Sequence, residues 1–219
     1  GASRDALGYA ERVLAIEIDA ATDNPLVFAE ERRVVSGGNF HGQPVAIALD
    51  LATIAVAELA DISGARIDRM TNGHTSGLPP FLTANAGMHS GFMVAQYTAA
   101  ALVTENRLRS APASVHSNPA SADMEDHVSM GVHAAHQLAA VVRNTRDVLA
   151  IEALCAAQGI DLLKARSSTA IEAARRVVRE QVPHLEADRS LAPDIATISD
   201  VLARDLLATA VRHAIGHLD

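Results

Sequence analysis

At 219 residues, 49% hydrophobic and 20% charged, the chain has enough apolar content to bury a core, which excludes disorder and low-complexity filament. Six aromatic residues (Tyr9, Phe28, Phe40, Phe81, Phe92, Tyr97) and no Trp, among abundant Ala, Leu and Arg, argue against a β-sandwich or barrel and for helix. A net charge of −8, from 26 acids against 18 dispersed bases, excludes a nucleic-acid surface, because phosphate neutralisation requires clustered cations.

A first helix is predicted over residues 3–22, closed at Asp23-Asn24-Pro25 because the residue before proline is pushed out of the α region. Leu26-Val27-Phe28 and Val34-Val35 flank a charged turn and read as a short hairpin ending at Ser36-Gly37-Gly38-Asn39. A second helix starts near Pro44 and carries Asp50, Glu58, Asp61 and Asp68 at intervals of 8, 3 and 7, which share one face; its remaining apolar surface predicts that it is mostly buried.

Residues 73–104 contain no Asp, Glu, Lys or Arg. Pro79-Pro80, Asn85, Gln96 and the dominance of Ala exclude a membrane span, leaving a helix over about residues 89–110 that is buried on all sides, in a bundle or at a subunit interface. A polar loop over residues 111–124 and a fourth helix over 125–157 follow. Thr169-Ala170-Ile171-Glu172 has the capping-box pattern, and a final helix from Pro193 shows Ile195, Ile198, Leu202 and Leu206 at helical steps. With no repeat and no long linker, the expectation is one all-α unit with a short β-hairpin near the N-terminus.

Cys155, the single cysteine, lies in an apolar helical setting and reads as a small buried hydrophobe in a reducing cytoplasm. The chain begins at Gly1, already in helical rhythm and with no signal-peptide pattern, and reads as a processed product or a piece of something longer. Among ten histidines, His133/His136 and His213/His217 have helical spacing, but no third ligand accompanies either pair, so no metal site is expected.

Two loop segments concentrate chemistry. Ser36-Gly37-Gly38-Asn39-Phe40-His41 sets a phenylalanine in a glycine-flanked turn, and Glu125-Asp126-His127 places carboxylates beside a histidine where a helix begins. Loops ending on rigid helices are where sites are usually built. The plainer alternatives are that Phe40 plugs a core and that Glu125 and Asp126 complement a helix dipole.

Six ordered motifs decide between them: Asp23-Asn24-Pro25-Leu26-Val27-Phe28, Ser36 to His41, Leu78-Pro79-Pro80-Phe81-Leu82, Ser90-Gly91-Phe92-Met93-Val94-Ala95-Gln96, Glu125 to Met130, and Asn144 to Glu152. Over essentially its whole length the chain resembles the C-terminal part of the histidine ammonia-lyases, relatives of the phenylalanine and tyrosine ammonia-lyases and aminomutases. The resemblance implies an elongated, nearly all-α bundle and a homotetramer whose active sites are each shared among three subunits. It also implies a methylidene-imidazolone (MIO) electrophile formed from an internal Ala-Ser-Gly, a tripeptide that occurs nowhere in this sequence. The MIO and a tyrosine base then belong to an N-terminal part outside this chain, and residues 1–219 form the C-terminal helical region, inactive alone.

By the same resemblance, Asn24 organises polar contacts, Phe40 packs beside the MIO and the substrate ring, Glu125 faces the substrate, and Met93 occupies a pocket position that plant phenylalanine enzymes fill with Lys. A carboxylate opposite the substrate suits an imidazole and would be a desolvated liability opposite phenyl, which favours L-histidine, converted to trans-urocanate and ammonia. Asp123-Met124 departs from the Asn-Gln of many bacterial histidine lyases. The alternatives are a tyrosine or phenylalanine ammonia-lyase or aminomutase and, from another class, a non-catalytic helical assembly module.

Overall fold

A computed structural model describes residues 1–216. Helix α1 (Ala2–Ile18) leads into strands β1 (Leu26–Phe28) and β2 (Arg33–Val35), followed by α2 (Gln43–Thr71), α3 (Gly73–Ser76), a 3-10 turn (Pro80–Leu82), α4 (Met93–Arg109), α5 (Gly131–Leu163), α6 (Thr169–Gln181), α7 (Ala192–Ala203) and α8 (Leu206–Ile215). The strands pair antiparallel with Leu26 opposite Val35 and Phe28 opposite Arg33, which bears out the hairpin and the helical fold class. The chain divides into two compact units, one of Gly1–Glu58 with Arg107–Val142 and one of Leu59–Asn106 with the chain from Arg143 onward.

The first unit has a small core of Ala10, Ala48 and Ala52, flanked by Val13 and Leu138. Two polar residues of α2 fix the following loop. The Asp50 carboxylate accepts from the Ser114 N–H at 2.7 Å, and Gln43 Nε2 donates to the Ser114 carbonyl at 2.9 Å. The backbone N–H offsets part of the desolvation of Asp50, whose Oδ1 is buried with no hydrogen-bond partner among the described residues, while Glu58, Asp61 and Asp68 of the same face are exposed.

The second unit holds the larger core, built from Ile67, Leu82, Val148, Ile151, Leu154, Val178 and Ile198. Cys155 is fully buried there, and burial with the Glu152 charge pushes its thiol pKa far up, so it behaves as an inert apolar residue. The Asp161 carboxylate accepts from Arg175 Nη1 and Arg179 Nε, each at 2.7 Å, and lies 3.1 Å from His184 Nδ1. Burial works against its charge, but these donors prevail and hold its pKa below the ordinary range.

Several boundaries and burials differ from expectation. Helix α5 begins at Gly131 rather than 125, and it runs through Gly159, where an added Cβ would lie 3.2 Å from Leu78 Cδ1. Ser168, not Thr169, caps α6: its hydroxyl accepts from the Ile171 N–H while Glu172 reaches back to the Ser167 N–H. The final helix is two, broken at Asp205 in a left-handed conformation. The neutral helix is not buried all round, for Val94 and Tyr97 are 64% and 67% exposed. Helix α2 likewise leaves Ile47, Ile54 and Ile62 half-exposed.

Candidate active site

Three of the four residues singled out in the sequence belong to the first unit, and Met93 belongs to the second. Asn24 precedes a cis peptide bond to Pro25. Its side-chain oxygen accepts from the Ser36 hydroxyl at 3.0 Å and the Gly37 N–H at 3.2 Å, which anchors the glycine-rich segment beyond β2. Asn39 adds a second anchor by donating to the Ala21 carbonyl at 2.9 Å. Phe40 then projects from this segment with 53% of its surface exposed, so it is not a core plug.

Glu125 lies in a tight turn. Its backbone pairs with Ala120 in both directions, at 2.8 and 3.2 Å, around Ser121, Ala122 and Asp123, all at positive φ. Three consecutive non-glycine residues in this region store strain, of order 1–3 kcal/mol each, and such strain concentrates where a side chain is being aimed. The Glu125 side chain is exposed and, among the described residues, makes no hydrogen bond or ion pair. With α5 starting at Gly131, Glu125 is too far from the helix terminus to serve its dipole.

Between these two loops lies a contact not anticipated from the sequence. The rings of His41 and His127 stack with centroids 5.1 Å apart, and His41 Nε2 is 2.9 Å from the His127 carbonyl oxygen. Both residues sat inside motifs noticed for other members, and only their separation of 86 residues hid the pairing. A cleft of about 410 Å³ in this unit is lined by His116, Asn118, Met130, His133 and Gln137.

In the second unit Met93 is the first residue of α4, half-buried, and its N–H is donated to the Ser90 carbonyl at 3.1 Å. A cleft of about 400 Å³ there is lined by Asp68, Asn72, His74, Phe81 and Gln96, with Gln96 Nε2 donating to Asp68 at 2.8 Å. Met93 is not among its lining residues. Among the described residues, no group of three or more His, Cys, Asp or Glu side chains could hold a metal ion, and no helix is long and apolar enough to cross a membrane. Of the His213/His217 pair, His217 lies outside the described residues.

The family model for aromatic amino acid lyases matches residues 1–180. The chain belongs to the aromatic amino acid lyase family. A histidine ammonia-lyase of Deinococcus radiodurans is 54% identical over 96% of this chain and 40% of its own length. One of Symbiobacterium thermophilum is 52% identical over 100% of this chain and 43% of its own. Among solved structures, histidine ammonia-lyase from Trypanosoma cruzi superposes with a TM-score of 0.93 at 44% identity, over 97% of this chain and 42% of that one. Tyrosine aminomutase from Streptomyces globisporus follows with a TM-score of 0.92 at 42% identity, over 99% and 42%. This chain thus spans about two fifths of the length of the relatives it matches.

Proposed function

We propose that this chain is the C-terminal helical region of a cytoplasmic histidine ammonia-lyase, acting on L-histidine in a homotetramer to release trans-urocanate and ammonia. The observation that carries the reading is the uncommitted Glu125 carboxylate, held in a strained turn and bonded to nothing among the described residues. A carboxylate so placed has its full acceptor capacity available for an imidazole N–H, and the relatives' names agree with that partner.

The sequence lacks Ala-Ser-Gly, so the MIO expected of the family would come from the part of the protein outside this chain. What this chain offers such a group is the exposed face of Phe40, an aromatic surface against which a planar ring can pack. When present, the MIO supplies the electrophile that engages the substrate. Asn24 fixes the segment bearing Phe40, Glu125 binds and orients the side chain, and Met93 supplies an apolar wall that tolerates an uncharged ring edge. The tyrosine base that takes the β-proton is assigned to the missing part, and the isolated chain is accordingly inactive.

The aminomutase reading draws on the fold match to tyrosine aminomutase, but Glu125 is ill suited to a phenol or phenyl ring in a dry pocket. Glu125→Gln in the complete enzyme separates the possibilities. Loss of a charge-assisted hydrogen bond to imidazole should lower kcat/KM for histidine by roughly 1.5–3 kcal/mol, and by a hundredfold or more if the carboxylate also handles a proton. Unchanged kinetics in a folded tetramer would remove Glu125 from the pocket and with it the preference for histidine.

A further inference from the structure

His41 directly follows Phe40, and His127 lies two residues beyond Glu125. Their rings are nearly parallel, 8° apart, within the first unit. His41 Nδ1 accepts from the Gln43 N–H at 3.2 Å, which requires a lone pair on that nitrogen. The ring proton therefore sits on Nε2 and is donated to the His127 carbonyl at 2.9 Å. Both nitrogens of a neutral imidazole are thus committed to backbone groups, one on each loop.

The surroundings reinforce the tie. A Cβ at Gly42 would lie 2.9 Å from Ser129 Oγ, so the two segments approach closely at this point. Behind the second loop, the Val128 N–H is donated to Ser117 Oγ at 2.9 Å. The strained turn carrying Glu125 is consequently held at its far end by the histidine pair and at its near end by the Ala120 bridge.

We propose that His41, stacked on His127, is a positioning residue: it fixes the separation of the Phe40 segment from the Glu125 turn, so that ring-packing and carboxylate contacts meet the same substrate. The proposal deepens the lyase reading above and rests on it. Gln is the informative replacement, since its Nε2 can donate to the His127 carbonyl while its Oε1 accepts from the Gln43 N–H.

The test uses the complete enzyme with His41→Leu and His41→Gln, read by steady-state kinetics on histidine and by amide hydrogen exchange. His41→Leu should raise KM and lower kcat together, with kcat/KM falling roughly tenfold or more, since small misplacements are costly. It should also speed exchange in residues 36–43 and 117–130 together, and His41→Gln should restore both readouts. Unchanged exchange in 117–130 with His41→Leu, or faster exchange with unaltered kinetics, overturns the proposal. Should His41→Leu fail to fold, His127→Leu keeps the carbonyl and removes the stacked ring: loosening of 36–43 supports the tie, and its absence overturns it. If the unsubstituted enzyme leaves histidine untouched, the lyase reading fails separately, and coupled exchange alone decides the tie.

Discussion

Asp188 holds Gly91 from 97 residues further along the chain, its carboxylate accepting from the Gly91 N–H at 2.9 Å and the Ser90 N–H at 2.8 Å. Gly91 has a φ of +54°, and a Cβ there would meet the Phe81 carbonyl at 2.5 Å. That carbonyl accepts from the Phe92 N–H at 2.9 Å, and Phe81 and Leu82 themselves have positive φ. A folded-back segment, closed by a distant carboxylate, thereby sets the first turn of α4 and with it Met93.

Gly91→Ala should therefore destabilise the protein by roughly 2 kcal/mol or more, through strained backbone and a backbone clash together. The two N–H donors hold the Asp188 carboxyl below its ordinary pKa. A depressed folded-state value means that its contribution is present above the ordinary carboxylate range and lost as pH falls through the lowered one. Asp188→Asn should flatten the acid limb of a plot of urea midpoint against pH and leave the neutral-pH shape unaltered. An acid limb identical to that of the unsubstituted protein would exclude this role.

Gln158 is the polar centre of the second unit's core. Fully buried, it donates to the Leu82 and Leu185 carbonyls at 3.2 and 3.0 Å and accepts from the Leu185 N–H at 3.1 Å. Gln158→Leu keeps the volume but strands those backbone groups, so unfolding free energy should fall by about 3 kcal/mol or more. Urea denaturation measures this, and a loss below about 1 kcal/mol would mean that solvent reaches the site.

Ile47, Ile54 and Ile62 on α2 are half-exposed, and Val94 and Tyr97 on α4 are largely exposed; covering such apolar side chains favours association. The 219-residue chain alone should self-associate at micromolar concentration and form no urocanate. Light scattering showing a monodisperse monomer contradicts the first expectation, and urocanate formation with no other polypeptide detectable by mass spectrometry contradicts the second.

How much of this was legible beforehand depended on whether the determinant was local. The hairpin followed from Leu26-Val27-Phe28 and Val34-Val35 on either side of a charged turn, and the start of α6 was located to within one residue by Glu172. The turn before Glu125 was not legible, because Ser121, Ala122 and Asp123 adopt positive φ without a glycine to signal it. The break at Asp205 was hidden for the same reason, with neither Gly nor Pro to mark it. Phe40, Glu125, Asn24 and Met93 are candidates singled out by motif, whereas His41–His127 and Asp188–Gly91 join distant segments and required coordinates.

Substrate identity is decided by kcat/KM of the complete enzyme for L-histidine and L-tyrosine, measured side by side with ammonia and organic product quantified. The expected result is preferential turnover of histidine, with ammonia and trans-urocanate formed in equal amounts. Faster turnover of tyrosine, to either an unsaturated acid or a β-amino acid, would contradict the account.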